Sequence, residues 1–97
     1  MAQVGLEWED QAKEETRTIY DYLFDEAPAY AMHWADEIEQ MLERLITFPE
    51  MGRMVPDIQV RSIREVFVGR YRMVYQFRDK KVVILAVRYM GQPLDKI

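Results

Sequence analysis

The apolar residues of this chain follow one repeat as far as Leu45 and a different repeat from residue 61 onward, and this change of period constrains the fold. Ala31, Trp34, Ala35, Ile38, Met41, Leu42 and Leu45 recur every three or four positions, while Asp36, Glu37, Glu39, Gln40, Glu43 and Arg44 fill the opposite side. An apolar stripe of that kind is the face a helix buries against a core. Pro28 suits the first turn of this helix, where its missing N–H leaves nothing unpaired. Ala12, Thr16, Ile19, Tyr20 and Leu23 carry the same spacing in an earlier helix, which starts at Glu9-Asp10 and ends near Phe24. So few residues separate the two that an antiparallel helical hairpin is expected. Phe48 to Asp57 holds two prolines and a glycine, which ends the second helix in an irregular connection. Arg61 to Val68, Tyr71 to Arg78 and Val82 to Met90 then read as strands, rich in Val, Ile, Tyr and Phe. Gly69-Arg70 and Asp79-Lys80 are short enough to make both connections hairpins. Gln3 to Trp8 adds a short extended segment at the front. The expected fold is α+β, in the order β-α-α-β-β-β, with the helical hairpin packed on an antiparallel sheet. At 97 residues the chain has room for one core, so residues 1–97 are expected to form a single domain.

Hydrophobic residues make up 49% of the sequence, enough to offset chain entropy and exclude a disordered chain. There is no cysteine, which excludes disulfides and thiolate metal sites and suits a reducing compartment. The first seven residues have neither a basic nor an apolar signal region, and the longest aliphatic run, Val82 to Val87, is too short to span a bilayer. A cytoplasmic protein with no membrane partner is the expectation. The net charge of −4 is the sum of two unlike halves. Residues 1–50 carry three basic and thirteen acidic residues, a balance of −10; residues 51–97 carry ten and four, a balance of +6. An acidic average therefore says little about the partners of the second half.

Strand parity locates that positive charge. Tyr71, Met73, Tyr75 and Phe77 share one side of the middle strand, the natural surface for the helices to cover, and Arg72, Val74, Gln76 and Arg78 share the other. Arg88, with Ala86 and Ile84, is expected on that second side, making an uncovered cationic sheet face. Arg61, Arg64, Arg70, Arg72, Arg78 and Arg88 suit bidentate contacts with carboxylate or phosphate. The same charges also guard a small sheet against edge pairing, the simpler reading for Arg78, Lys80 and Lys81 at a hairpin tip. For Arg72, in mid-strand between aromatic residues, both readings stand. Trp8, Tyr71, Tyr75 and Tyr89 are able to stack on bases, although alternating tyrosines in strands more often build a core.

Other chemistry is poorly provided for. His33 is the single histidine, so no His-based triad or multi-histidine metal site is available, and no metal or cofactor is expected. No glycine-rich phosphate loop occurs. The carboxylates of the first half sit on the solvent faces of helices.

Val4-Gly5-Leu6-Glu7-Trp8, Ile19-Tyr20-Asp21-Tyr22, Leu42-Glu43-Arg44-Leu45, Phe48-Pro49-Glu50-Met51-Gly52-Arg53, Ile63-Arg64-Glu65, Val68 to Tyr75 and Val82 to Val87 follow one another in an order that resembles the RelE/ParE toxin superfamily of type II toxin–antitoxin modules, of plasmid-stabilisation type. The similarity runs through nearly the whole chain, and its most specific blocks are Phe48–Arg53 and Gly69–Tyr75. It implies the same fold as the periodicity does. RelE-like members are metal-free ribonucleases acting on ribosome-bound mRNA through lysines on the strand before the Tyr-Arg motif, the motif arginine, and an arginine with a Tyr or His near the C-terminus. By this resemblance Arg72 corresponds to the motif arginine and Arg64 stands in the region of the lysines. The strand Arg61 to Val68 has no lysine, and Gln92 stands near the place of the last arginine with no Tyr or His after it.

ParE-like members share the scaffold without the nuclease residues and poison DNA gyrase, and the Phe48–Arg53 block resembles this branch more closely. Tyr89-Met90-Gly91-Gln92-Pro93 stands where many relatives continue with a His-Gly-Arg-Arg-like segment. The resemblance thus implies a ParE-like toxin that inhibits DNA gyrase by protein contact and is neutralised by a cognate antitoxin, with which it forms a hetero-oligomer. The antitoxin is expected to lay an acidic, amphipathic segment across the cationic face, and the residues expected to bind antitoxin or target are Arg61, Arg64, Arg72, Arg78 and Arg88, with Tyr89. The alternatives are a ribosome-dependent mRNA endoribonuclease relying on Arg72 and Arg64, with nucleic acid as its partner, or a non-toxic antitoxin-binding relative.

Overall fold

In the computed structural model, residues 4–94 are described. The elements are β1 (Gly5–Trp8), α1 (Asp10–Glu26), α2 (Pro28–Thr47), β2 (Arg53–Met54), β3 (Ile63–Val68), β4 (Tyr71–Arg78) and β5 (Lys81–Tyr89). Gln3, expected to open the first strand, lies outside the described residues, as do Asp95 to Ile97 of the tail. The helical hairpin forms as its spacing predicts, α1 running one turn-fraction further than Phe24. Pro28 takes the first turn of α2, and Ala27 between the helices donates its N–H to the Leu23 carbonyl oxygen at 2.7 Å.

The five strands make one sheet in the order β1-β5-β4-β3-β2. It is mixed, not antiparallel throughout: β1 lies parallel to β5, with Leu6 opposite Val82 and Trp8 opposite Ile84. A parallel neighbour needs a long crossover, and the two helices with the following hairpins supply it. The segment Phe48–Asp57, expected to be irregular, contributes β2, a two-residue edge strand against Glu65 and Arg64 of β3.

The main core lies between the sheet and the hairpin. Ala12 and Leu23 of α1 and Ala31, Trp34, Ile38, Leu42 and Leu45 of α2 pack on Val66, Val68, Met73, Tyr75, Val82, Ile84 and Val87. Tyr71 and Phe77 join this side half-buried, so the parity of β4 is as expected. Trp34 is fully buried; its indole N–H donates to the Val68 carbonyl oxygen at 3.1 Å, and its ring meets Tyr71 edge-on at 5.4 Å.

The second face of the sheet departs from expectation. It carries a smaller core of Val55, Val74, Ala86 and Leu94, flanked by Ile58, Ile63 and Leu85. The loop after β2 and the chain beyond β5 therefore cover what the sequence suggested was bare. Ile84 and Ala86 do not share this face: Val74 pairs with Ala86 but Tyr75 with Ile84, so Leu85 is an extra residue in β5. Such a bulge reverses side-chain parity across it, sending Ile84 to the helices and Ala86 to the small core.

Candidate functional site

Arg72 stands at the centre of the second face, and its surroundings carry three links. β4 aims its side chain away from the helices, and the loop bearing Asp57 and the tail bearing Gln92 close over it. The guanidinium donates to the buried Glu65 carboxylate at 3.2 Å, to both Asp57 oxygens at 3.5 and 3.3 Å, and to the Gln92 carbonyl oxygen at 2.6 Å. Arg53 completes the cluster by binding the same Glu65 at 2.7 Å while stacking over the Phe67 ring. The Arg72 side chain is 6% exposed and that of Glu65 is fully buried. Asp57 in turn accepts the Leu94 N–H at 3.2 Å. The Arg72 guanidinium and this backbone N–H hold the Asp57 carboxyl below the usual carboxylate range, the arginine being the larger cause. Of the Arg72 donors, Nε–H alone has no hydrogen-bond partner.

The expected open cationic face is thus corrected at its central residue. Arg72 is a cross-link between β3, the Val55–Val60 loop and the tail, with its charge offset by two carboxylates. Glu65 and Asp57 were the partners that a reading of basic residues alone passed over. Glu65 carried a signal in the sequence, because it is a lone carboxylate at the strand parity that pairs diagonally with Arg72. Asp57 carried none, since its place depends on the path of a loop between two prolines.

Arg64 and the Phe48–Arg53 block form a second built unit. The side chain of Tyr75 is fully buried, and its hydroxyl donates to the Pro49 carbonyl oxygen at 2.7 Å and accepts the Gly52 N–H at 3.0 Å. Burial raises the Tyr75 phenol above its ordinary value. Arg64 reaches across from β3 to the Gly52 carbonyl oxygen at 2.8 Å, with Glu50 3.8 Å away. The block Phe48–Arg53 is therefore held mechanically: three of its backbone groups are fastened to two strands.

The remaining candidates are scattered. Arg61 is exposed in the loop before β3, and Arg78 is exposed at the far end of β4. Arg88 turns toward α1, where its Nε donates to Glu15 at 2.9 Å; the same carboxylate takes the Val87 N–H at 3.1 Å. Tyr89 is 47% exposed and packs edge-on against Tyr71, 5.8 Å between ring centres. Arg72 and Arg88 are register partners on β4 and β5, yet they bind different carboxylates, Arg72 those of Glu65 and Asp57 and Arg88 that of Glu15 on α1. His33 is on the solvent side of α2, 3.1 Å from Glu37. Among the described residues no cluster of three or more His, Asp or Glu is placed to hold a metal, and no helix is long and apolar enough to cross a membrane.

Comparison with other proteins places this geometry. The family described as the ParE toxin of the type II toxin–antitoxin system, parDE, matches residues 6–93. Among solved structures, the chromosomal ParDE toxin–antitoxin system from P. aeruginosa is similar at a TM-score of 0.73 and 19% identity, over 90% of this chain and 96% of that one. The intact E. coli RelBE toxin–antitoxin complex is similar at 0.62 and 16%, over 91% and 96%. The RelBE2 complex from Mycobacterium tuberculosis is similar at 0.63 and 19%, over 91% and 99%. No curated protein sequence matches the chain. At these identities the solved structures speak for the fold, two helices on a five-stranded sheet, whereas the family match spans both fastened units, Phe48–Arg53 and the Arg72 cluster. The chain belongs to the ParE toxin family of type II toxin–antitoxin systems.

Proposed function

We propose that this protein is a toxin that inhibits DNA gyrase by direct protein contact and is held inactive by a cognate antitoxin. The observation that carries the choice of target is the state of Arg72. A ribonuclease needs a cation free to meet the phosphorane, together with a positioned base and acid. Here the corresponding guanidinium is buried and bound by Glu65, Asp57 and the Gln92 carbonyl, while Arg64 is fastened to Gly52. A phosphate would have to displace two carboxylates to reach Arg72. Family membership supports the toxin–antitoxin setting, and the similar ParDE and RelBE structures are of toxin–antitoxin systems. The antitoxin partner of this chain is inferred from that setting.

Purified protein added to gyrase and relaxed plasmid is expected to suppress supercoiling and to accumulate cleaved DNA, with primer extension on translated message showing no new cuts. Undiminished supercoiling at saturating protein would sink the reading.

A further inference from the structure

We infer that the hollow between α1, α2 and the end of β1 binds a small aromatic monocarboxylate, whose ring lies among Trp8, Tyr20 and Trp34 and whose carboxylate meets Lys13 and Arg17. The hollow encloses about 380 Å³, within the roughly 300–1,000 Å³ of ordinary small-molecule sites. Thr16 of α1 and Ala35 of α2 both line it, and neither is large enough to fill the space between the helices. The Thr16 hydroxyl is spent on the Ala12 carbonyl oxygen at 2.8 Å, which leaves the methyl as its contribution. The aromatic walls are already ordered. Trp34, buried with Ile38, is held through its indole N–H by the Val68 carbonyl oxygen. Trp8 is seated opposite Ile84, and its neighbour Glu9 donates a backbone N–H to the Ile84 carbonyl oxygen at 2.9 Å. The Tyr20 ring rests 5.9 Å from that of Phe24. Walls fixed in this way lose little freedom when a ligand arrives, and their flat faces suit another ring.

The polar rim selects the sign of the occupant. Residues 1–50 hold three basic side chains, Lys13, Arg17 and Arg44, against thirteen acidic ones, and two of those three stand at this one hollow. Lys13 and Arg17 are four residues apart, so they share one side of α1. Among the described residues neither side chain makes an ion pair or a hydrogen bond. Glu39 of α2 is the one carboxylate in the lining, and it is equally without a partner there. Two cations against one carboxylate leave a surplus of one positive charge on the α1 side, which suits a single anionic group and disfavours a dianion or an amine. The Trp8 indole N–H and the Tyr20 hydroxyl also lack hydrogen-bond partners among the described residues, adding two groups able to donate to that anion. The hollow shares no residue with the Arg72 cluster, and its occupant does not depend on which target the protein has.

The test is a titration of the nitrogen-15-labelled full chain with 3-phenylpropanoate, 3-phenylpropanol and 3-phenylpropylamine, which share a ring and differ in charge. The readout is the pair of indole N–H signals, one each from Trp8 and Trp34, told apart with Trp8→Phe. The carboxylate is expected to move the Trp8 signal saturably and to bind about tenfold more tightly than the alcohol, with the amine weaker still. Lys13→Gln with Arg17→Gln is expected to bring the carboxylate down to the affinity of the alcohol. Both positions are exposed on a helix, so the fold is kept. Ala35→Leu fills the hollow and is expected to abolish the shift; Thr16→Leu fills the same space from α1 and repeats the test if Ala35→Leu disturbs the hairpin, as judged by a circular-dichroism melt. Equal affinity for the three ligands, tighter binding of the amine, indifference to the double glutamine variant, or a shift that never saturates would overturn the inference, as would binding that survives in a folded, filled variant.

Discussion

A Cβ at position 52 would sit 2.7 Å from the Glu65 carbonyl oxygen and 2.7 Å from the Tyr75 hydroxyl, so the loop after α2 closes on the sheet only where a side chain is missing. Neither neighbour gives way easily: one is strand backbone and the other a buried phenol bridging Pro49 and Gly52. Gly52→Ala is expected to destabilise the protein by roughly 2 kcal/mol, read as a lowered urea midpoint with an unchanged slope. Asp57 offers a test by pH at the same scale. Its folded pKa is depressed, so its ion pair with Arg72 stabilises fully above the ordinary carboxylate value and is lost as pH falls through the folded one. The tail should therefore loosen below about pH 4. The Leu94 amide, bound to Asp57, is expected to lose its protection from hydrogen exchange in that window, and Asp57→Asn to remove the pH dependence. Arg72 is harder to test by deletion. Its loss would strand the buried Glu65 with Arg53 as its one partner, at a cost of about 3 kcal/mol, so an inactive Arg72→Ala protein reports on folding before it reports on chemistry.

The hairpin between β4 and β5 turns through Asp79 and Lys80, at φ 51° and 59°, with Arg78 and Lys81 paired beside them. Two consecutive left-handed residues are the signature of a type I′ turn, which glycine fits at the second place far better than lysine does. Lys80→Gly is expected to stabilise the protein by about 1 kcal/mol, raising the melting temperature by about 5 °C. This element was legible as a hairpin from its two-residue spacing between strands. α2 was legible for a different reason, since its apolar stripe runs unbroken and Pro28 marks its start. β2 was not: its two residues sit in a segment punctuated by prolines, and only pairing with β3 makes them a strand. The parallel seat of β1 was hidden too, because the direction in which a short edge strand pairs is a property of its distant partner. Likewise the bulge at Leu85, invisible in an even run of aliphatic residues, upset the expected side for Ile84. The positive charge was counted correctly but assigned to an open surface, because the count says nothing about which arginines already face carboxylates.

At the scale of the whole molecule, β5 is the strand on which the other parts converge. It pairs with β4 on one side and β1 on the other, supports α1 through Glu15, and leads into the tail that Arg72 and Asp57 hold down. Without it, β1 has no partner and Ala12 and Trp34 lose part of the floor they pack on. A chain ended at Lys80 is expected to show no cooperative thermal transition, although it keeps both helices and four of the five strands. The ends of the parallel pair, Gly5 and Lys81, are brought together only after nearly everything between them has been laid down. This order has a meaning for the toxin activity proposed above. Helices alone form early and locally, but the final surface waits for the last strand. On that proposal, a ribosome part-way through the message holds a chain without the finished sheet, and the activity proposed for it becomes available only when the last strand is laid down.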